Sequence, residues 1–257
     1  MNGQPARSIS MTALPGIPLI ASGMDLSAVL LDALAQAGRA LTHGDVVVVT
    51  SKIVSKAEGR SVRLNDVQPS AEALRLAVVT DKDPRIVELV LRESTAVSRA
   101  SRGVLVVRHR LGFVSANAGI DQSNVAGGEQ TALLLPLDPD ASARAISDAL
   151  LERTGARVGI VISDSHGRPF RMGNVGVAIG AARLPALRDL RGEPDLYGRA
   201  LKITLQAYAD MIASASALLT GEGAEGLPAV LIRGLPEYSS HNPASTLNRP
   251  LEQDLYR

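Results

Sequence analysis

Two aspartates in this sequence, Asp121 and Asp164, each stand among small hydroxyl and amide residues just downstream of a short apolar run. Residues 117–124 read Asn-Ala-Gly-Ile-Asp-Gln-Ser-Asn, and residues 163–169 read Ser-Asp-Ser-His-Gly-Arg-Pro. A carboxylate among neutral oxygen donors suits Mg²⁺ or Mn²⁺, which prefer oxygen ligands and are commonly completed by nucleotide phosphates. Asn117, Gln122, Ser123 and Asn124 could hold a phosphate or a sugar without adding charge. These residue types also build ordinary turns, so either stretch alone is ambiguous. Two stretches of the same build at the ends of two expected strands favour a site, because rigid scaffolds present binding residues on such loops. His166 stays open between a functional residue and an exposed, unpaired one.

A third stretch, residues 50–60, reads Thr-Ser-Lys-Ile-Val-Ser-Lys-Ala-Glu-Gly-Arg. Its hydroxyl pair opens an expected short helix stopped at Gly59, which puts Lys52 and Lys56 on one face. Two ammonium groups beside a helix N-terminus could cradle a polyphosphate; a solvated basic face is the plain alternative. The P-loop glycine pattern is missing. The arginines of residues 168–199 could serve a glutamate or phosphodiester substrate through bidentate bonds, or form surface ion pairs of little consequence. The glycine-rich acidic loop of Thr220, Gly221, Glu222, Gly223, Ala224, Glu225, Gly226 and Leu227 is a further candidate.

The elements that must position these groups follow from periodicity and punctuation. Residues 14–20 carry two prolines and a glycine and read as extended. Apolar residues recur at three and four from Leu26 to Ala40, predicting a helix capped by Asp25 and ended near Gly38. Val46, Val47, Val48 and Val49 read as a strand buried on both faces. Asp83-Pro84 and Asp138-Pro139 open helices, the second running to Arg153 and terminated by Thr154-Gly155. Residues 103–107 and 112–115 read as a hairpin delivering the 117–124 loop. Residues 131–135, 158–162, 175–181 and 229–232 read as further strands, residues 201–219 as a long Ala-rich helix, and residues 236–257 as a tail without strong pattern.

Composition bounds the class. With 257 residues, 46% hydrophobic and 21% charged, the chain is expected to fold as a globular protein. A net charge of +1 and 2% aromatics give no reason to expect nucleic acid or an anionic membrane as partner. The absence of cysteine excludes disulfides, thiolate metal sites and cysteine nucleophiles. Residues 1–10 lack the apolar core of a signal peptide and no run approaches a membrane span, so a cytoplasmic protein is expected.

Taken together, the motifs Gly16-Ile17-Pro18, residues 44–60, residues 118–125 (Ala-Gly-Ile-Asp-Gln-Ser-Asn-Val), residues 135–143, Ser163-Asp164-Ser165 and residues 229–235 resemble, in order, those of the coenzyme F420-0:L-glutamate (gamma-glutamyl) ligases of deazaflavin biosynthesis. The resemblance implies a mixed α/β (α+β) fold with mixed sheets and flanking helices, peculiar to the family, in an intertwined homodimer. It implies a polar leader over 1–13, a catalytic unit over 14–235, and a tail over 236–257. It also implies GTP and Mg²⁺ or Mn²⁺ at two sites, with a monovalent cation as a further occupant, and a deazaflavin acceptor and L-glutamate as the other substrates. Carried over, Asp121 and Asp164 are metal ligands, Ser165 and Glu222 serve a second metal, and Asn124 meets the nucleotide. Ile17, Pro18, Leu19, Ile20, Ser51, Lys52, Lys56 and the loop from Thr220 to Leu227 line the GTP site, and Lys52 joins the two aspartates as a catalytic residue. A related amide ligase with another acceptor, a metal-dependent phosphohydrolase and a non-catalytic nucleotide-binding module are the rival readings.

Overall fold

A computed structural model describes residues 6–124 and 127–254. Residues 1–5 of the leader, Val125 of the motif and residues 255–257 of the tail lie outside the described residues. The first half of the chain forms β1 (Ser10–Ala13), α1 (Leu26–Gln36), β2 (Val46–Thr50), α2 (Ser51–Ala57), β3 (Ser61–Arg63), α3 (Ala71–Thr80), α4 (Pro84–Arg92), β4 (Ser94–Ser101), β5 (Val104–His109) and β6 (Val114–Ala116). The second half forms β7 (Thr131–Leu133), α5 (Pro139–Thr154), β8 (Gly159–Arg168), β9 (Arg171–Ala182), β10 (Leu187–Asp189), β11 (Leu205–Ala207), α6 (Tyr208–Thr220) and β12 (Ala229–Arg233). The expected mixed α/β class is the one found.

The central sheet has the order β1-β12-β2-β8-β9. Only β2 and β8 run parallel, with Thr50 beside Ser163; the other neighbours are antiparallel. The valine run of β2 explains its central place, since its side chains alternate between two cores. Val47 and Val49 pack with Ile160, Ile162 and Leu231 under α1 and α5. Val46 and Val48 pack with Val161, Val230 and Ile232 under α6. Val47, Val48 and Val49 are fully buried, each worth roughly 1.5–3 kcal/mol against exposure. A third core joins α3 and α4 to the β4-β5-β6 sheet and to β7.

The caps are as expected. Asp25 accepts from the backbone N–H groups of Ser27 and Ala28, Asp83 from Arg85, and Asp138 from Ala141, while Gly155 closes α5 at φ +72°. Elsewhere the structure differs. The helix expected over 201–219 starts only at Tyr208, because Leu205–Ala207 pairs with Leu187–Asp189 and the Leu190 N–H bonds Thr204 O. The strand expected over 158–162 runs on to Arg168, and the one expected over 175–181 begins at Arg171, because the two form one long hairpin. The leader supplies the edge strand β1, and the tail docks through Ala244 and Ser245, whose N–H groups donate to Asp140. The strand β3, the helix α3 and the strand β4 have no counterpart in the sequence expectations, although α3 buries Ala73, Leu76, Ala77 and Thr80 at helical spacing.

Candidate functional site

Beyond Thr50 and Ser163, where the pairing of β2 with β8 stops, the sheet opens into a cleft of about 650 Å³. The parallel pairing is the cause. After Thr50 and Ser163 the neighbours diverge: β2 turns into α2, while β8 leaves the sheet paired only with β9. Ser51 and Asp164 therefore face each other across the split, the Ser51 hydroxyl donating to Asp164 Oδ1 at 2.7 Å. Crevices outside the carboxyl ends of parallel strands are where open α/β sheets bind ligands.

The loop after β6 forms the opposite wall. It starts with a left-handed turn, Asn117, Ala118 and Gly119 all having φ between 52° and 64°. Asp121 is then tied to β7 by paired backbone bonds with Leu133. The Asp121 side chain receives Lys52 Nζ at 2.6 Å and the Ser123 N–H at 2.6 Å. Burial pushes this carboxyl upward, but Lys52 and Ser123 outweigh it and hold the group below the ordinary aspartate range. Lys56, one turn further along α2, donates to Asn124 O at 2.8 Å. Burial first, and then the charge of Lys52, lower its pKa, while Asp121 partly offsets them.

The third wall is the loop leaving α6. Gly221 ends that helix at φ +66°, and Glu222 accepts the Ser165 hydroxyl at 2.7 Å. The Asn124 amide reaches Gly223 O at 3.1 Å, so two loops from opposite sides close on each other.

Of the expected site residues, Ile17, Pro18, Leu19, Ile20, Ser51, Lys52, Lys56, Asp121, Asn124, Asp164, Ser165, Thr220, Gly221, Glu222, Gly223, Ala224, Gly226 and Leu227 all line this one cleft. Glu225 does not; it folds back to accept the Gly223 N–H at 2.8 Å. Asn117 and Gln122 are also withdrawn, Asn117 satisfying the Leu105 N–H and Gln122 bonding Glu129 O. The arginines of residues 168–199 stay out as well: Arg191 and Arg199 pair with Asp189 and Asp195, Arg188 stacks on Tyr238, and Arg168 bonds Gly173 O. Asn174 and Gly176 also line the cleft. Both fall in the stretch 172–176 that departs from the family pattern, where the resemblance implies an acidic residue at Gly176 beside the acceptor or glutamate pocket, but neither is among the expected site residues. Their signal is the hairpin register, which sets Gly176 opposite Ser165. Only glycine fits there, because a Cβ would run into the Ala213 carbonyl of α6. His166 is neither exposed nor unpaired, since its ring lies against Asp164.

The donors aimed at the cleft are hard oxygens. Among the described residues no three His, Cys, Asp or Glu side chains converge as a ready-made metal cage. A cation here would rest on one or two carboxylates, hydroxyls, water and substrate phosphate, which is how Mg²⁺ is commonly held. The residues present fit that group.

A family model described as F420-0:gamma-glutamyl ligase matches residues 16–234, most of the chain. The chain belongs to this family. The coenzyme F420:L-glutamate ligase of Methanothermobacter thermautotrophicus is 46% identical over 251 residues, covering 97% of this chain and 99% of that protein. The coenzyme F420:L-glutamate ligase of Archaeoglobus fulgidus is 41% identical over 249 residues, covering 97% and 96%. That of Methanopyrus kandleri is 46% identical over 221 residues, covering 84% and 87%. The match to the family spans all three walls of the cleft.

Proposed function

We propose that this chain is a cytoplasmic ligase that joins L-glutamate to the deazaflavin coenzyme F420-0 through an amide, using GTP and a divalent cation. The observation that carries the reading is the meeting, in one cleft, of Asp121, Asp164, Lys52 and Lys56 from three separate segments, in a chain whose family relatives are named for this ligation. A carboxylate is a poor electrophile until an oxygen becomes a leaving group. Transfer of the γ-phosphate to the acceptor carboxylate would supply one as an acyl phosphate, and the glutamate α-amine would displace the phosphate.

The roles of the chain's own groups follow from their positions. Lys52 and Lys56 would grip the phosphates, and a bound polyanion would offset the burial and the Lys52 charge that together lower the Lys56 pKa. Asp121 and Asp164 would hold one cation, and Ser165 with Glu222 a second; a monovalent cation is a further candidate occupant. Such cations neutralise phosphate charge and orient the transfer. Ile17, Pro18, Leu19 and Ile20 would supply an apolar edge for the nucleotide, and Asn124 an amide. No side-chain nucleophile is needed, in keeping with a chain that has no cysteine.

A homodimer is part of the proposal. Phe170 and Met172, at the tip of the β8-β9 hairpin, are 98% and 97% exposed, apolar surface that a second copy would cover. Light scattering of the pure protein, alone and as Phe170→Asp, would read the state directly; a monomeric parent would remove this part.

Incubating the protein with the deazaflavin acceptor, L-glutamate, GTP and Mg²⁺ or Mn²⁺, and reading product masses, tests the reaction as a whole. A mass gain of glutamate residues that requires both nucleotide and metal is expected. Nucleotide hydrolysis without any acceptor product would favour a phosphohydrolase instead.

A further inference from the structure

Both oxygens of Asp164 are held from within the protein, and one of the two holders does not itself line the cleft. Ser51 donates to Oδ1 at 2.7 Å, and His166 Nε2 lies 2.9 Å from Oδ2. A carboxylate only accepts hydrogen bonds, so Nε2 carries the proton of this contact. Asp164 and His166 are two residues apart on β8 and so share a face of the strand. Their side chains are only 17% and 12% exposed. The imidazole is fixed in its turn by Phe113, with ring centroids 5.0 Å apart, and Phe113 stacks on the fully buried His109 at 5.1 Å. His166 is not among the residues that line the cleft.

We propose that His166 is a positioning residue, which orients the Asp164 carboxylate from behind so that its remaining lone pairs point at a divalent cation in the cleft. The inference rests on the reading of Asp164 as a cation ligand. Its physical basis is that a carboxylate pinned on both oxygens presents one geometry, whereas a free one samples many and loses that freedom only on binding. Outer hydrogen-bond partners of metal ligands commonly govern affinity by about 10–100-fold. Ser51 cannot do this alone, because one bond leaves the carboxylate free to swing about it.

The test is Mn²⁺ binding, read as the loss of the free-ion paramagnetic resonance signal when the metal is titrated into pure protein without GTP or acceptor. His166→Phe keeps a ring against Phe113 and loses the N–H. His166→Gln puts an amide N–H near the place of Nε2, and His166→Asn is too short to reach it. The expected result is a dissociation constant raised roughly 10–100-fold in His166→Phe and His166→Asn, and largely restored in His166→Gln. Asp164→Asn is the reference. If it weakens Mn²⁺ binding while all three His166 variants bind like the parent, the positioning role is overturned and the ligand role stands. If Asp164→Asn binds Mn²⁺ unchanged, the ligand role falls and the inference with it. Should His166→Phe fail to fold, the contrast between His166→Gln and His166→Asn carries the same decision, because a merely structural histidine would not distinguish amides by reach.

Discussion

Glu93 and Asp121 are both carboxylates that meet cationic side chains, but Glu93 is enclosed on every side while Asp121 is enclosed on one. Glu93 receives Arg60 and Arg110 at 2.9 Å each, with the buried His109 ring 3.6 Å away, and its side chain is 11% exposed. The two arginines spend their other donors on backbone carbonyls of Leu135, Pro136 and Leu137. These bonds run within the protein, and the cluster joins the end of α4 to the β5-β6 turn and the segment leading into α5. Asp121 and Lys52 are about a third exposed and open onto the cleft. A lysine there can exchange its carboxylate for a phosphate, and the carboxylate its lysine for a cation. An ion pair is thus structural where its partners are saturated, and available for chemistry where solvent or substrate can replace one of them.

This contrast can be broken by substitution. The largest expected effect is at the cleft: Asp121→Asn and Asp164→Asn should each abolish ligation and keep the fold. Losing a cation ligand removes several kcal/mol of transition-state stabilisation, on the order of 10²–10³-fold or more in rate. Near-normal turnover in either metal-supplemented variant would remove that residue from the site. The reverse pattern is expected at Glu93. Glu93→Gln leaves two guanidinium groups without their counter-charge and should cost about 3–5 kcal/mol of stability, with near-parental activity per folded molecule. Denaturant titration beside an active-site count separates the two; a stable but inactive variant would make Glu93 functional and end the contrast.

Smaller effects sharpen the comparison. Lys52→Ala or Lys56→Ala should weaken GTP binding by roughly 1.5–3 kcal/mol, about tenfold or more, while changing folding free energy by only about 0.5 kcal/mol. Calorimetric titration of GTP with metal decides it, and unchanged affinity in both variants would put the phosphates elsewhere. The smallest effect is one of pH. Burial pushes Glu93 upward, but His109, Arg110 and Arg60 outweigh it and hold its pKa at about 2, below an ordinary 4.5. Its unfolded form therefore binds protons first as the pH falls. The stability Glu93 contributes should be complete above about pH 4.5 and be lost on descending toward pH 2, with the loss absent in Glu93→Gln. A parent and variant with parallel acid-denaturation curves over that window would contradict the assignment.

Much of the local structure was legible in the chain itself. Asp-Pro pairs mark the starts of α4 and α5, and a glycine stop marks the end of α5, because capping and left-handed closure are chemistry within one turn. The valine run marks a strand buried on both faces, because apolar area demands cover on each side of a sheet. The oxygen-rich stretches point to Asp121 and Asp164, although Asp164 lies inside β8 rather than in a loop at its end, and the lysine pair one turn apart points to the same cleft. Residues 61–82 carry no expected element, although Ser70 caps α3 locally and Ala73, Leu76 and Ala77 recur at helical spacing. Residues 201–207 carried a helical composition that pairing with β10 overrode. Which polar groups face the cleft was decided only by tertiary structure. Asn117 and Glu225 are of the right type, but nearby backbone N–H groups claim them. His166 stays open in the sequence between a functional and an exposed, unpaired residue, and the long β8-β9 hairpin and Phe113 place it beside Asp164. Ser51 meets Asp164 across 113 residues of sequence, and Lys52 meets Ser123 across 71. Such meetings depend on the parallel register of β2 and β8 and on the hairpin that carries the opposite loop. Register is set by how whole strands share their cores, a property of the packed sheet that no stretch of sequence contains by itself.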